Sequence, residues 1–263
     1  MVSFRSFVRG HILPAIPTWL SRGLTRAYYA RAAKRIPEDR LYGAAVVKAL
    51  VKAGDSVIDL GANIGVYTRF LSRLVGADGR VFSIEPVPST FDLLCFNVRR
   101  LGLRNVVPLN YAASDAEGIV SMSIPLLPSG AENFYVARIV ESESPVGGIR
   151  VPVEAKTLDA ILSDQSADIA FIKCDVEGHE LKCAQGAQMI IEKSKPAWCI
   201  ELSGNPDQPG SSAGATVQHL VAAGYTVCRY DGQRLHERRP GDKSTDYFFL
   251  TAQHLCSLAD KGL

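Results

Sequence analysis

The chain has 263 residues, 47% of them hydrophobic and 21% charged, a composition that excludes a disordered or fibrous protein and can supply one sizeable core. Its 29 Lys and Arg against 27 Asp and Glu leave a net charge of +2, too weak a field to imply nucleic-acid binding. The six cysteines form no C-x-x-C pair and mostly sit in apolar runs, so they read as small core hydrophobes of a reduced, cytoplasmic protein.

The N-terminal stretch stands apart. Arg5, Arg9, Arg22, Arg26, Arg31, Lys34, Arg35 and Arg40 face only Glu38 and Asp39. Residues 1–50 are predicted as a basic helical segment broken at Pro14, Pro17 and Pro37. Arg5, Arg9 and the first two prolines interrupt its apolar positions, so neither a cleaved leader nor a membrane span is expected. Three readings stand for this segment: a cap on the substrate side, an amphipathic element through which residues 1–40 rest on anionic lipid, or a solvated helical face packed on the domain.

From Ser56 the pattern changes to short β-rich runs separated by helical periodicity: SVIDL, RVFSIE, NVVPLN, IAFIKCD, AWCIEL, TVCRY and YFFLT. Between the second and third, Phe91, Leu94, Cys95, Val98 and Leu101 recur at the spacing of one helix face. Strand, helix, strand in this order predicts an α/β domain over residues 51–255 with parallel pairing. The alternation breaks once, between residues 115 and 157. There, 119–124 and 150–154 read as a β-hairpin insertion whose long excursion includes Asn133, Phe134 and Tyr135. Such excursions serve as lids, or as surface loops with no role.

The first run ends in Asp59-Leu60-Gly61-Ala62-Asn63-Ile64-Gly65, with a helical pattern directly after it. Glycines at 61 and 65 allow a sharp turn and close approach of a ligand to a helix N-terminus. A dinucleotide would lay its pyrophosphate over this turn, where Asp59 repels it, and the spacing is not G-x-G-x-x-G. S-adenosylmethionine has no phosphate, and its sulfonium and ammonium are cations that an acid favours. Glu85 ends the second run, where an acid can accept both hydroxyls of a ribose. The plain alternatives are a glycine turn without ligand and a solvated acid at a strand end.

The blocks VIDLGANIGVYT (57–68), IEPVPSTFDLLCFNV (84–98), NYAASD (110–115), KTLDAIL (156–162), FIKCDVEGHELKCAQGA (171–187) and CIELSG (199–204) resemble the FkbM-type methyltransferases. That resemblance implies a Rossmann-like class I methyltransferase fold, with a seven-stranded, mostly parallel sheet whose last strand is antiparallel. The implied activity is O-methylation of a hydroxyl on a sugar, glycolipid or polyketide-like small molecule, with S-adenosylmethionine as donor and S-adenosylhomocysteine as product. By motif position, Asp59, Gly61, Ala62, Asn63, Gly65, Tyr67 and Thr68 would surround the methionine part, with Asp175 nearby. Glu85 and Pro86 would hold the ribose, and Asn110 to Ala112 would lie near the adenine. His179 departs from the family pattern and inherits no role from it.

Ligands of such sheets sit beyond the carboxyl ends of the strands. Asp175 and Glu201 close two neighbouring runs, and Glu177 and His179 follow Asp175 at the turn, so these four are the catalytic candidates. An aliphatic hydroxyl does not ionise unaided at neutral pH, which makes a placed base worth about 10²–10⁴-fold. Asp175 is expected to orient the acceptor or the donor's ammonium, and His179 or Glu177 to take the proton. Against this, Glu177 and Glu180 also complement a helix dipole, and His179 fits an ordinary first-turn surface position. The competing functions are nucleic-acid methylation, binding of the cofactor without turnover, and metal-assisted O-methylation. The strand end reads CDVEG, aromatic residues do not interleave with the basic patch in a way that suggests base stacking, and no obvious oxygen-ligand repeat is present, so neither a nucleic-acid partner nor a metal is expected.

Overall fold

The computed structural model describes residues 29–31, 34–125, 137–140, 148–165 and 168–263. Five adjacent parallel strands form one side of the main sheet, out to its β3 edge: β1 (Ser56–Leu60), β2 (Arg80–Ile84), β3 (Val106–Leu109), β8 (Ile169–Cys174) and β9 (Ala197–Glu201). They are joined by β10 (Thr226–Tyr230), β11 (Leu235–Glu237) and β12 (Asp246–Leu250), in the order β11-β10-β12-β9-β8-β1-β2-β3. The last strand, β12, runs antiparallel to both β9 and β10, as the resemblance implied.

All seven expected runs are in this sheet, which has eight strands because β11 adds an edge. Asp231 Oδ1 accepts the backbone N–H groups of Gln233 and Arg234, which folds the chain back so that β11 pairs antiparallel with β10. Three residues are too few to leave a period in the sequence.

Helices cover both faces: α1 (Ala44–Leu50), α2 (Val66–Val75), α3 (Pro88–Leu101), α4 (Leu158–Ile161), α5 (Glu180–Gln185), α6 (Gln188–Ser194), α7 (Ser212–Ala222) and α8 (Ala252–Ala259). Successive strand residues point to opposite faces. Val57, Val81, Phe171, Cys199 and Phe248 pack with Val47 of α1, Phe70 of α2, Leu94 of α3 and Leu258 of α8. Ile58, Phe82, Ile172, Trp198 and Phe249 face the other way, toward Leu158 of α4, Cys183 of α5, Ile190 of α6 and Leu220 of α7. Cover on both faces explains why β1, β9 and β12 are buried along their whole length. Helix α3 matches the predicted period; Pro88 starts it without losing a hydrogen bond, and Gly102 ends it in the left-handed conformation.

The insertion is a second sheet rather than a lone hairpin. Strands β5 (Gly118–Ile124) and β7 (Ile149–Lys156) pair antiparallel, as expected, with Ile119 opposite Glu154 and Ser123 opposite Arg150. Two very short strands flank them, β4 (Ala112–Ala113) beside β7 and β6 (Arg138–Val140) beside β5. Met122, Ile124, Val153 and Ala155 bury one face together with Ala112, Ala137 and Val87. Since Val87 lies two residues after Glu85 in the loop that follows β2, the insertion docks against the loop that carries Glu85. Asn133, Phe134 and Tyr135 lie outside the described residues.

Residues 1–28, and with them most of the segment read as lipid-facing, also lie outside the described residues. Tyr29 and Ile36 join the core beside α2, and the Arg69 guanidinium donates to the backbone carbonyls of Lys34 and Ile36. Among the described residues, no helix is long and apolar enough to cross a membrane.

Candidate active site

Strand β1 lies between β2 and β8, the point at which the strand order reverses direction and a crevice opens above the carboxyl ends. The turn after β1 is tied to both neighbours. Gly61 and Ala62 N–H both donate to Ile84 O at 3.0 Å, and Asp175 N–H donates to Leu60 O at 3.1 Å. Gly61 has φ +72°, and a Cβ there would come within 1.9 Å of the Asp175 carbonyl oxygen, so only glycine fits between the two loops. Asn63 is also left-handed, at φ 50°. Its N–H donates to Glu85 Oε2 at 3.0 Å, and its Oδ1 accepts from Ile64 N–H at 2.8 Å. Gly65, left-handed in turn, caps α2 directly after this turn.

Glu85 is buried, with Asn63 N–H on one carboxylate oxygen and Val87 N–H on the other, each at 3.0 Å. Burial pushes its carboxyl up to about 7, despite those two donors, and Asp59 and Asp175 push the same way. Asn110 reaches across from the end of β3 and donates its amide to the carbonyls of Glu85 and Pro86, at 2.8 and 3.0 Å. Ala112, by contrast, is enclosed in the core of the second sheet.

Asp59 lies behind the glycine turn, under α2. Thr68 Oγ1 donates to its Oδ2 at 2.6 Å and is 3.0 Å from Ser83 Oγ. Burial raises the Asp59 carboxyl to about 6; Asp175 adds to the rise, while Thr68 and Lys173 oppose it. Asp59, Glu85 and Asp175 thus form one electrostatic unit around the turn. In the sheet register Asp59 stands between Ser83 and Lys173. The buried Lys173 ammonium lies 3.7 Å from Asp246 Oδ1 and 5.9 Å from the Tyr67 ring centre. Glu201, a candidate from the sequence, is buried directly opposite Asp246.

Lys173, Asp246 and Ser83 were not among the residues singled out from the sequence. Lys173 did carry a signal: a lysine inside IAFIKCD, a run reading as a two-faced buried strand, demands carboxylates nearby. The partner Asp246, 73 positions away (246 − 173), had no local mark of its own.

After β8 the chain turns through Glu177, at φ 56°, and Gly178, at φ 104°. Asn63 and Glu177 are two of the three non-glycine residues with positive φ among those described, and both sit in the paired loops after β1 and β8. Strain of this kind persists where a loop shape is enforced. Glu180 is buried and accepts from Gly178 N–H at 2.9 Å, which closes the start of α5. His179 points to the beginning of the second sheet, with Nε2 3.0 Å from Ser114 Oγ. Burial, assisted by Lys182, holds its imidazole below the ordinary histidine range; Asp115 pulls the other way.

A family model, the methyltransferase FkbM domain, matches residues 59–227, more than half of the chain. The chain belongs to the FkbM methyltransferase family. The crystal structure of methyltransferase FkbM from Methylobacillus flagellatus KT shares its fold, with a TM-score of 0.53 at 19% identity over 86% of this chain and 50% of that one. This chain therefore spans about half the length of that relative. A probable cobalt-precorrin-6B C(15)-methyltransferase (decarboxylating) from Saccharolobus solfataricus is 24% identical over 144 residues, 53% of this chain and 72% of that protein. Aeropyrum pernix fibrillarin, solved with natively bound S-adenosyl-L-methionine, has a TM-score of 0.47 at 15% identity over 76% of this chain and 67% of its own.

The FkbM match takes in the glycine turn, Glu85, Asn110, the second sheet, the 175–180 turn and Glu201. It ends before β11 and β12, so Asp246 lies outside it. Among the described residues no group of three or more His, Cys, Asp or Glu is arranged to hold a metal ion.

Proposed function

We propose that this FkbM-family chain transfers a methyl group from S-adenosylmethionine to a hydroxyl of a small molecule, a sugar, glycolipid or polyketide-like compound. The observation that carries the donor is the cluster of Asp59, Glu85 and Asp175 around the glycine turn, three acids that repel a phosphate wherever they are ionised. A donor with a sulfonium and an ammonium fits that charge; a pyrophosphate does not. In this reading Glu85 accepts from the ribose hydroxyls, with Asn63 and Val87 fixing its rotamer. Asn110 and Pro86 border the adenine side. The 61–65 loop lies against the methionine part, and Asp175 faces the ammonium.

Methyl transfer forms the oxygen–carbon bond as the carbon–sulfur bond breaks and its electron pair returns to sulfur. The hydroxyl proton must leave as well. His179 is the candidate to take that proton, because burial holds its imidazole below the ordinary histidine range and so favours the neutral, proton-accepting form. Glu177 is the alternative base. The four-stranded insertion, which begins beside His179, forms the acceptor side of the crevice in this reading.

Calorimetry on the full chain with S-adenosylmethionine and S-adenosylhomocysteine tests the donor. Wild type is expected to bind both, and Glu85→Gln to bind each at least ~10-fold more weakly, the loss of a charge-assisted hydrogen bond of about 1.5–3 kcal/mol. No binding by wild type would overturn the reading. Binding followed by a screen of hydroxylated sugars and lipid extracts with labelled donor then identifies the acceptor.

A further inference from the structure

His179 and Lys182 stand three positions apart at the start of α5, and both reach the dipeptide Ser114-Asp115 that leads from β4 into the insertion. His179 Nε2 is 3.0 Å from Ser114 Oγ, Ser114 Oγ is 3.1 Å from Asp115 Oδ1, and Lys182 Nζ donates to Asp115 Oδ2 at 2.7 Å. Ser114 is 4% exposed and held through its backbone. Its N–H donates to Lys156 O at 2.9 Å, and its carbonyl oxygen lies where a Cβ on Gly186 would come within 1.9 Å. The hydroxyl therefore sits in a fixed place between an imidazole and a carboxylate.

A carboxylate only accepts hydrogen bonds, and the Lys182 ammonium keeps that of Asp115 below the ordinary range, ionised at neutral pH. The hydroxyl has a single hydrogen. It goes to Asp115, which leaves the serine oxygen as an acceptor for His179. A neutral imidazole has one N–H, and here it must be on Nε2, so the lone pair is on Nδ1.

We propose that Ser114 is a positioning residue that fixes His179 in the Nε2–H tautomer and makes Nδ1 the basic atom of the ring. When Nδ1 takes a proton, the imidazolium charge faces Asp115 through the serine. Of the charged groups against the ring, Asp115 favours protonation and Lys182 opposes it. The catalytic consequence rests on the reading of His179 as the base, with the acceptor's hydroxyl proton going to Nδ1. The tautomer itself does not rest on it.

Long-range proton–nitrogen NMR of the full chain labelled with ¹⁵N-histidine reads the tautomer without ligand, with His179→Gln assigning its ring among the five histidines. The expected result is an Nε2–H ring in wild type, loss of that single tautomer in Ser114→Ala, and its return in Ser114→Thr. A second variant, Asp115→Ala, changes an exposed residue outside the core. It frees the serine hydrogen to point at Nε2 and is expected to populate the Nδ1–H form. An Nδ1–H ring in wild type, or a ring indifferent to both Ser114→Ala and Asp115→Ala, overturns the proposal. Failure of wild type to bind S-adenosylmethionine would sink the proposed function and leave this measurement unchanged.

Discussion

Gly61 and Glu85 show two different ways in which single residues shape the crevice. At Gly61 the constraint is steric: a left-handed backbone faces the Asp175 carbonyl with no room for a Cβ. Alanine there costs about 1–2 kcal/mol in backbone strain before the clash is counted. Gly61→Ala is expected to lower the urea midpoint accordingly and to abolish S-adenosylhomocysteine binding, because the clash pushes the two loops apart. A variant that binds at wild-type affinity would show that the loop contact is dispensable. At Glu85 the constraint is electrostatic, since two backbone donors aim both carboxylate oxygens while burial holds the group near neutrality. The glycine and the acid were both legible from the sequence, because a turn and a strand end have local signatures. Ser114 and Lys182 were not, for each is an ordinary residue until the fold sets it beside His179.

At the scale of elements, the runs that form the main sheet were readable because strands buried on both faces are nearly all apolar. The second sheet was half readable. Its two long strands, β5 and β7, have an inward face of Val120, Met122 and Ile124 against Val151, Val153 and Ala155. Strands of two or three residues, such as β4 and β6, have no period to detect. The insertion's core is a cluster separate from the two that cover the main sheet. Met122→Ala is therefore expected to cost about 2–5 kcal/mol. The loss should be confined largely to the insertion, which opens as its own unit. Hydrogen exchange would show this as faster exchange at the β5–β7 amides, with β1, β8 and β9 unchanged. Equal acceleration in both sheets would mean that they unfold together.

The molecule as a whole concentrates acids at one end of its sheet, and this couples stability to pH. Asp59 and Glu85 titrate near 6 and 7 in the fold, above the ordinary carboxylate range. The native state thus holds protons that the unfolded chain has released, and their contribution to stability is present at low pH and lost as pH rises through about 6 and 7. A cofactor that pairs with the ionised acids reverses this. S-adenosylhomocysteine at about 100 times its Kd adds about 2.7 kcal/mol. With the ligand concentration held constant, the gain in thermal midpoint should be larger at pH 8 than at pH 5.5, and Glu85→Gln should narrow the difference. An equal gain at both pH values in wild type would contradict the assignment of the ligand to these carboxylates.

By itself the sequence determined the α/β class, the order of the seven main runs, family resemblance and the glycine turn after β1. All of these follow from contacts close in the chain or from periodicities of two and 3.6 residues. Tertiary structure alone decided the eighth strand, the four-stranded form of the insertion, the burial of Lys173 against Asp246, and the link from His179 through Ser114 to Asp115. Their partners meet across long sequence separations or through strands of two or three residues, where no local period marks them. What each polar side chain does depends on which carboxylate, hydroxyl or ammonium the fold brings beside it.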